Sequence, residues 1–196
     1  MGVIVYDERA GIRLAELIAG IPENAWESGT PCEGWSVRDL VTHVVAGNVK
    51  YRGIAGGADF EPGAPEVSIG ADPAARYLET LADMLAAWRV PGALDREIGL
   101  PRGRGRAEVA AWIHLAETLG HGWDLATATG QPAGFDDEVV GACLADCRGR
   151  IPPERPPMIP FRDAVKLEGG PLIDQLAAYL GRSPARPGSQ RTPARG

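Results

Sequence analysis

The chain is poor in the features that mark disulfide scaffolds, membrane spans and nucleic-acid partners. Its three cysteines, at positions 32, 143 and 147, are too few and too scattered for a disulfide framework. No apolar run approaches the ~20 residues that cross a bilayer, so no membrane association is expected. The opening MGVIVYDERAGIRL carries acids too soon after its short apolar stretch to read as a signal peptide. Tyr6 stands where a myristoylation motif wants Ser or Thr. A basic excess is also missing: 26 acidic against 20 basic residues leave a formal charge of -6, which argues against phosphate backbones as partners. No glycine-rich phosphate loop follows a strand pattern. With 44% hydrophobic and 23% charged residues, the composition suits a globular domain with a real core, expected in the cytoplasm.

Helical periodicity dominates what remains. From Asp7, Ile12, Leu14, Leu17, Ile18 and Ile21 share one face of a first amphipathic helix ending near Gly20. Ser36 reads as an N-cap, with Asp39 completing a capping box, for a second helix carrying Val37, Leu40, Val41, Val44 and Val45 to about Tyr51. The Gly- and Pro-rich stretch 53–71 reads as a long connection able to cross over the end of a bundle. Asp72-Pro73 opens a third helix that stops before Pro91, and a fourth spans about Ala107 to Thr129, closed by Gly130. A fifth covers about Asp136 to Arg148, and LIDQLAAYLGR is a short sixth. Strand alternation is confined to short possibilities near 3–6, 96–100 and 163–167. The expected fold is all-α: one unit over residues 1–182, then a basic, disordered tail at 183–196 that lacks apolar anchors.

Only three histidines exist, and two share one run, AWIHLAETLGHGWDLATATGQ. At about 100° per residue, His114, Glu117 and His121 fall on one stripe of the fourth helix. Burying three such groups unpaired would cost several kcal/mol. A divalent cation would give Glu117 and His121 a shared partner, with His43 of the second helix as the third donor. On spacing alone a blander reading stays open, in which each histidine is satisfied separately in the core or at the surface. The Glu is not adjacent to the first His, so this is not a metalloprotease HExxH motif.

Two segments, TPCEGWSVRDLVTHVVAGN (30–48) and HLAETLGHGWDLATATGQP (114–132), resemble the signature segments of the DinB-like metalloenzyme superfamily. The similarity is to its actinobacterial branch, which contains the N-terminal domain of mycothiol-dependent maleylpyruvate isomerase. GGPLIDQLAAYLGRSP resembles the closing helix of small members of that branch, so the likeness covers roughly residues 8–185. The resemblance implies a four-helix bundle with long crossover connections and short additional C-terminal helices, holding a divalent metal, zinc before nickel. It places the ligands on His43, Glu117 and His121, with His114 as a fourth or supporting group. It also implies a low-molecular-weight thiol such as mycothiol as cosubstrate, and isomerisation or S-transfer on a small electrophile. The isomerase has a further C-terminal domain that contributes an arginine to its substrate site. This chain stops where that domain would begin, so maleylpyruvate itself is not the expected substrate.

Asp124, one turn after His121, is expected to form an ion pair with Arg38, the alternative being that it accepts the other N–H of the His121 ring or of a partner's. Cys32, in the loop before the second helix, is a candidate reactive thiol beside the site. Cys143 and Cys147 read as core thiols and the five tryptophans as core or pocket walls. The segment RGRGR (102–106) reads as a solvated loop, with an anion-binding rim as the alternative. A non-catalytic module that binds or sequesters a metal or small molecule stays open beside the enzyme, as does a homodimer.

Overall fold

The computed structural model describes residues 2–101, 103–155 and 161–184. Six helices and one hairpin follow in order: α1 (Val3–Ala19), α2 (Val37–Ala55), α3 (Pro73–Trp88), β1 (Glu97–Leu100), β2 (Gly103–Arg106), α4 (Glu108–Thr129), α5 (Asp137–Arg150) and α6 (Leu172–Tyr179). Local chemistry sets most boundaries. The Ser36 hydroxyl accepts from the Asp39 amide at 3.1 Å while the Asp39 carboxylate accepts from the Ser36 amide at 2.9 Å, so α2 starts where the capping box predicts. Asp72 accepts from the Ala75 amide at 2.9 Å, with Pro73 as the first helical residue of α3. Gly130, at φ 71°, ends α4.

The first four helices form the bundle. α1 and α2 each pack against both α3 and α4, which puts α1 diagonal to α2 and α3 diagonal to α4. The connections that cross the diagonal are therefore 20–36 and 89–107. The long 56–72 segment joins neighbours instead of crossing. α5 and α6 cover the outer side of α4, so α4 is contacted on nearly every face. That enclosure explains why polar residues such as His114, Thr118 and Asp124 are buried on it.

Several local expectations are corrected. Val3–Tyr6 is the first turn of α1, not a strand. Ile12 does not join the core face: it is 49% exposed, because α1 turns Ala10, Gly11, Leu14 and Ile18 toward its neighbours. Residues 97–100 do form a strand, paired antiparallel with 103–106. Within that hairpin Arg104 pairs with Glu97 at 2.8 Å and Arg106 with Asp95 at 2.6 Å, so RGRGR spends these charges on its own surface. Residues 163–167 carry no strand. Cys143 and Cys147 are buried core thiols as expected. Of the tail expected at 183–196, residues 185–196 lie outside the described residues.

A buried polar chain ties the four helices together. Asp7 of α1 and His114 of α4 meet at 2.7 Å, and the other ring nitrogen of His114 lies 3.2 Å from the Asn48 amide oxygen of α2. The Asn48 amide nitrogen in turn donates to Thr80 of α3 at 3.1 Å. Both nitrogens of His114 face oxygen acceptors, which favours the doubly protonated ring. Burial opposes that charge, but the Asp7 carboxylate, and then Glu117, offset the penalty and hold the His114 pKa above its ordinary value. Removing one partner of such a buried pair strands the other. Asp7→Asn is expected to lower unfolding free energy by about 3–5 kcal/mol in chemical denaturation. Because the folded-state pKa of His114 is raised, the deficit should be full below the free imidazole value of about 6.5 and shrink as pH rises through the folded value.

Candidate metal centre

α2 and α4 bring the predicted donors to one place. The capping box starts α2 so that Val37, Leu40, Val41, Val44 and Val45 enter the core, leaving His43 half-buried at the edge facing α4. The His43 and His121 rings lie edge to face with centroids 4.8 Å apart. Trp35, from the loop before α2, packs on both, with centroids 4.7 Å from His43 and 6.0 Å from His121. His43, Glu117 and His121 border a pinched space of about 10 Å³ whose inner wall includes His114, Thr118 and Tyr77. The same three residues also line a cleft of about 630 Å³ with Cys32, Trp35, Trp123, Phe161, Arg162 and Arg182. The donors thus stand between a closed interior and an open cleft.

Their electrostatics suit a cation. Burial, then the neighbouring His121, push the His43 pKa down to about 4, so its ring is neutral and offers a lone pair at pH 7. Among the described residues His43 has no hydrogen-bond partner. His121 Nδ1 lies 3.2 Å from the Asp124 carboxylate. Although burial opposes ionisation there, hydrogen bonds from His121 and Arg182 hold the Asp124 carboxyl down to about 2. An ionised acceptor on that edge draws an N–H at His121 Nδ1 toward Asp124 and turns Nε2 to the opposite side of the ring. Burial, followed by the Glu117 and Asp7 carboxylates, pushes the Tyr51 phenol up.

The expected supporting groups divide. Asp124 does take the His121 N–H, but its cationic partner is Arg182, not Arg38. Arg182 reaches both carboxylate oxygens, at 2.7 and 3.2 Å, while Arg38 pairs with Glu27 at 2.8 Å. His114 is committed to Asp7 and Asn48 through both nitrogens and has none left for a shared ion. Cys32 does border the site, its sulfur 3.1 Å from Asp124 and 3.8 Å from His121. Burial and then the Asp124 charge push its thiol up to about 12, so it is an S–H donor rather than a ready nucleophile. Among the described residues, the set of three ligand-type groups whose donor atoms all lie within 4.8 Å of one another is Cys32, His121 and Asp124. It overlaps the predicted set only at His121.

Sequence reasoning missed Asp7, Asn48 and Arg182. Two glycines were the available signal for Arg182. Gly181, at φ 87°, turns the chain sharply after α6. Gly120, beside His121, lacks the Cβ that would come within 3.2 Å of Leu180 and 3.4 Å of the Arg182 guanidinium. The close approach of Leu180 there holds the segment that carries Arg182 against α4.

Comparison with known proteins agrees with this architecture. The family model described as mycothiol maleylpyruvate isomerase N-terminal domain matches residues 8–126. Uncharacterised proteins from two strains of Mycobacterium tuberculosis are each 33% identical over 185 residues, covering 93% of this chain and 99% of the relative. Two crystal structures are similar in fold: the mycothiol-dependent maleylpyruvate isomerase (TM-score 0.57, 16% identity) and a histidine-to-alanine mutant of it (TM-score 0.56, 14% identity). Each covers 74% of this chain, and 67% of the isomerase chain is matched.

The two site imidazoles should differ in nitrogen-15 NMR of the chelator-treated protein. His121 is expected as the Nδ1–H tautomer, a signature that Asp124→Asn removes. His43 is expected to stay neutral at pH 6 and to titrate only near 4.

Proposed function

The chain belongs to the mycothiol maleylpyruvate isomerase N-terminal domain family, and from that premise we propose that it is a metal-dependent enzyme. His43, Glu117 and His121 hold one divalent ion, and a low-molecular-weight thiol of the mycothiol kind reacts there with a small electrophile. Supporting this is the pairing of two facing imidazoles with a carboxylate around one space that opens onto the cleft. The donor set suits zinc or nickel: two imidazole nitrogens and one carboxylate, beside an open cleft. The unclaimed nitrogen of His43 and the free edge of His121 are the groups that such an ion would engage.

When bound, a divalent cation supplies Lewis acidity that stabilises a thiolate at neutral pH. The protein residues do the rest. Asp124 fixes the tautomer and orientation of His121, so that its donor edge faces the space between the helices. Trp35 packs against both imidazoles and limits their rotation. Trp123, Phe161 and Pro31 give the cleft apolar walls, and Arg162 with Glu33 forms an exposed ion pair on the same cleft, at 2.7 Å. The chemistry supported is isomerisation or S-transfer by thiol addition. The commitment of His114 to the core speaks against a closed four-ligand shell, and so against a purely structural ion.

Metal analysis of protein purified without an affinity tag is expected to find a single divalent ion per chain, lost in His43→Ala. Thiol added to the cobalt-substituted protein should shift its absorption and raise turnover of thiol-reactive electrophiles. An unchanged cobalt spectrum at millimolar thiol would overturn the reading.

A further inference from the structure

The tightest set of metal-competent atoms in the described structure is not the one assigned above. Cys32 Sγ, His121 Nδ1 and Asp124 Oδ2 form a triangle with edges of 3.1, 3.2 and 3.8 Å. Bond lengths of a tetrahedral zinc-like ion place sulfur, nitrogen and oxygen donors about 3.3–3.7 Å apart. The three atoms could therefore hold a shared ion with shifts of about half an ångström. The triangle lies on the edge of His121 opposite the free nitrogen, and Cys32, His121 and Arg182 all line the cleft. Asp124 itself is fully buried.

We propose that Cys32, His121 and Asp124 form a second cation site, selective for thiophilic ions such as cadmium(II) or copper(I), and antagonistic to the first. A thiolate donor supplies the selectivity, since soft ions prefer sulfur over the carboxylate-and-imidazole set across the ring. Binding exchanges the ion for one proton, that of the Cys32 thiol, while the proton on His121 Nδ1 moves to Nε2 of the same ring. No electron transfer is involved. Asp124 Oδ1 can keep its bond to the Arg182 Nε while Oδ2 turns to the ion, so the buried guanidinium stays paired. Once Nδ1 is taken, the single ring proton must sit on Nε2, and His121 no longer serves the first set. This antagonism rests on the function proposed above; the second site itself does not.

Cadmium titration of the full chain tests the proposal. The native protein should develop a thiolate-to-cadmium charge-transfer absorption and, in weak buffer, release one proton per ion. Cys32→Ser, shown to be folded by its thermal transition, should lose the absorption and bind cadmium at least ~10-fold more weakly. His43→Ala, which removes a donor of the first set only, should keep the absorption, as should a Cys143→Ser/Cys147→Ser variant. Cadmium-loaded protein should take up less cobalt than the free chain. Absorption that persists in Cys32→Ser, vanishes in His43→Ala, or never develops in the native chain would overturn the second site. A cobalt titration that fails to respond to His43→Ala, with the Cys32-dependent absorption intact, would remove the first site and leave the second supported.

Discussion

The candidate site depends on one buried carboxylate. Asp124 has no solvent exposure, yet it is ionised, because three donors from separate parts of the chain converge on it. Arg182 arrives from the segment after α6, His121 from the preceding turn of α4, and Cys32 from the loop before α2. A charge held in a low-dielectric setting tolerates little misalignment, so the three segments are fixed relative to one another by the cost of leaving Asp124 unpaired. The cleft then has defined walls, and His121 has one defined orientation. Without the guanidinium, the carboxylate would have to be protonated or rehydrated, and the ring it orients would lose its anchor.

A second buried charge pair serves the scaffold. Asp7 and His114, extended through Asn48 to Thr80, join α1, α4, α2 and α3. Its place on α4, one turn before Glu117, shows how a single helical stripe divides its labour. The inner member of the stripe meets oxygen acceptors on the neighbouring helices and becomes structural. The outer two members meet the cleft and stay available. The difference is one of burial: a histidine with both nitrogens satisfied in the core contributes specificity of packing, whereas one with a free edge near solvent can exchange a proton or a ligand.

Much of this was legible in advance. The capping box at Ser36 and Asp39, the Asp72-Pro73 start and the Gly130 stop act through neighbouring residues, so they can be read without tertiary knowledge. The juxtaposition of His43 with Glu117 and His121 was legible too, because helical periodicity put the latter two on one stripe and left His43, mid-way along a facing helix, as the third, a choice that the family likeness repeated. The partners of Asp124 and His114 were not. Asp7, Arg182 and Asn48 lie 107, 58 and 66 residues from the histidine or aspartate they contact. Arg38 was a reasonable partner on paper, but it lies on the exposed side of α2 and meets Glu27 instead. The crossing of the bundle was expected of the Gly- and Pro-rich connection at 53–71, yet a connection's composition does not decide which helices become neighbours, and the 56–72 segment joins adjacent ones.

Composition, helix boundaries and the family were determined by the sequence itself, since each follows from local chemistry or from motifs contiguous in the chain. Which polar groups became buried partners, which histidine was spent on the core, and which cysteine came to lie against the site were decided only by tertiary structure. The physical reason is that these outcomes depend on desolvation and on pairing between distant segments. Neither exists until the helices have packed.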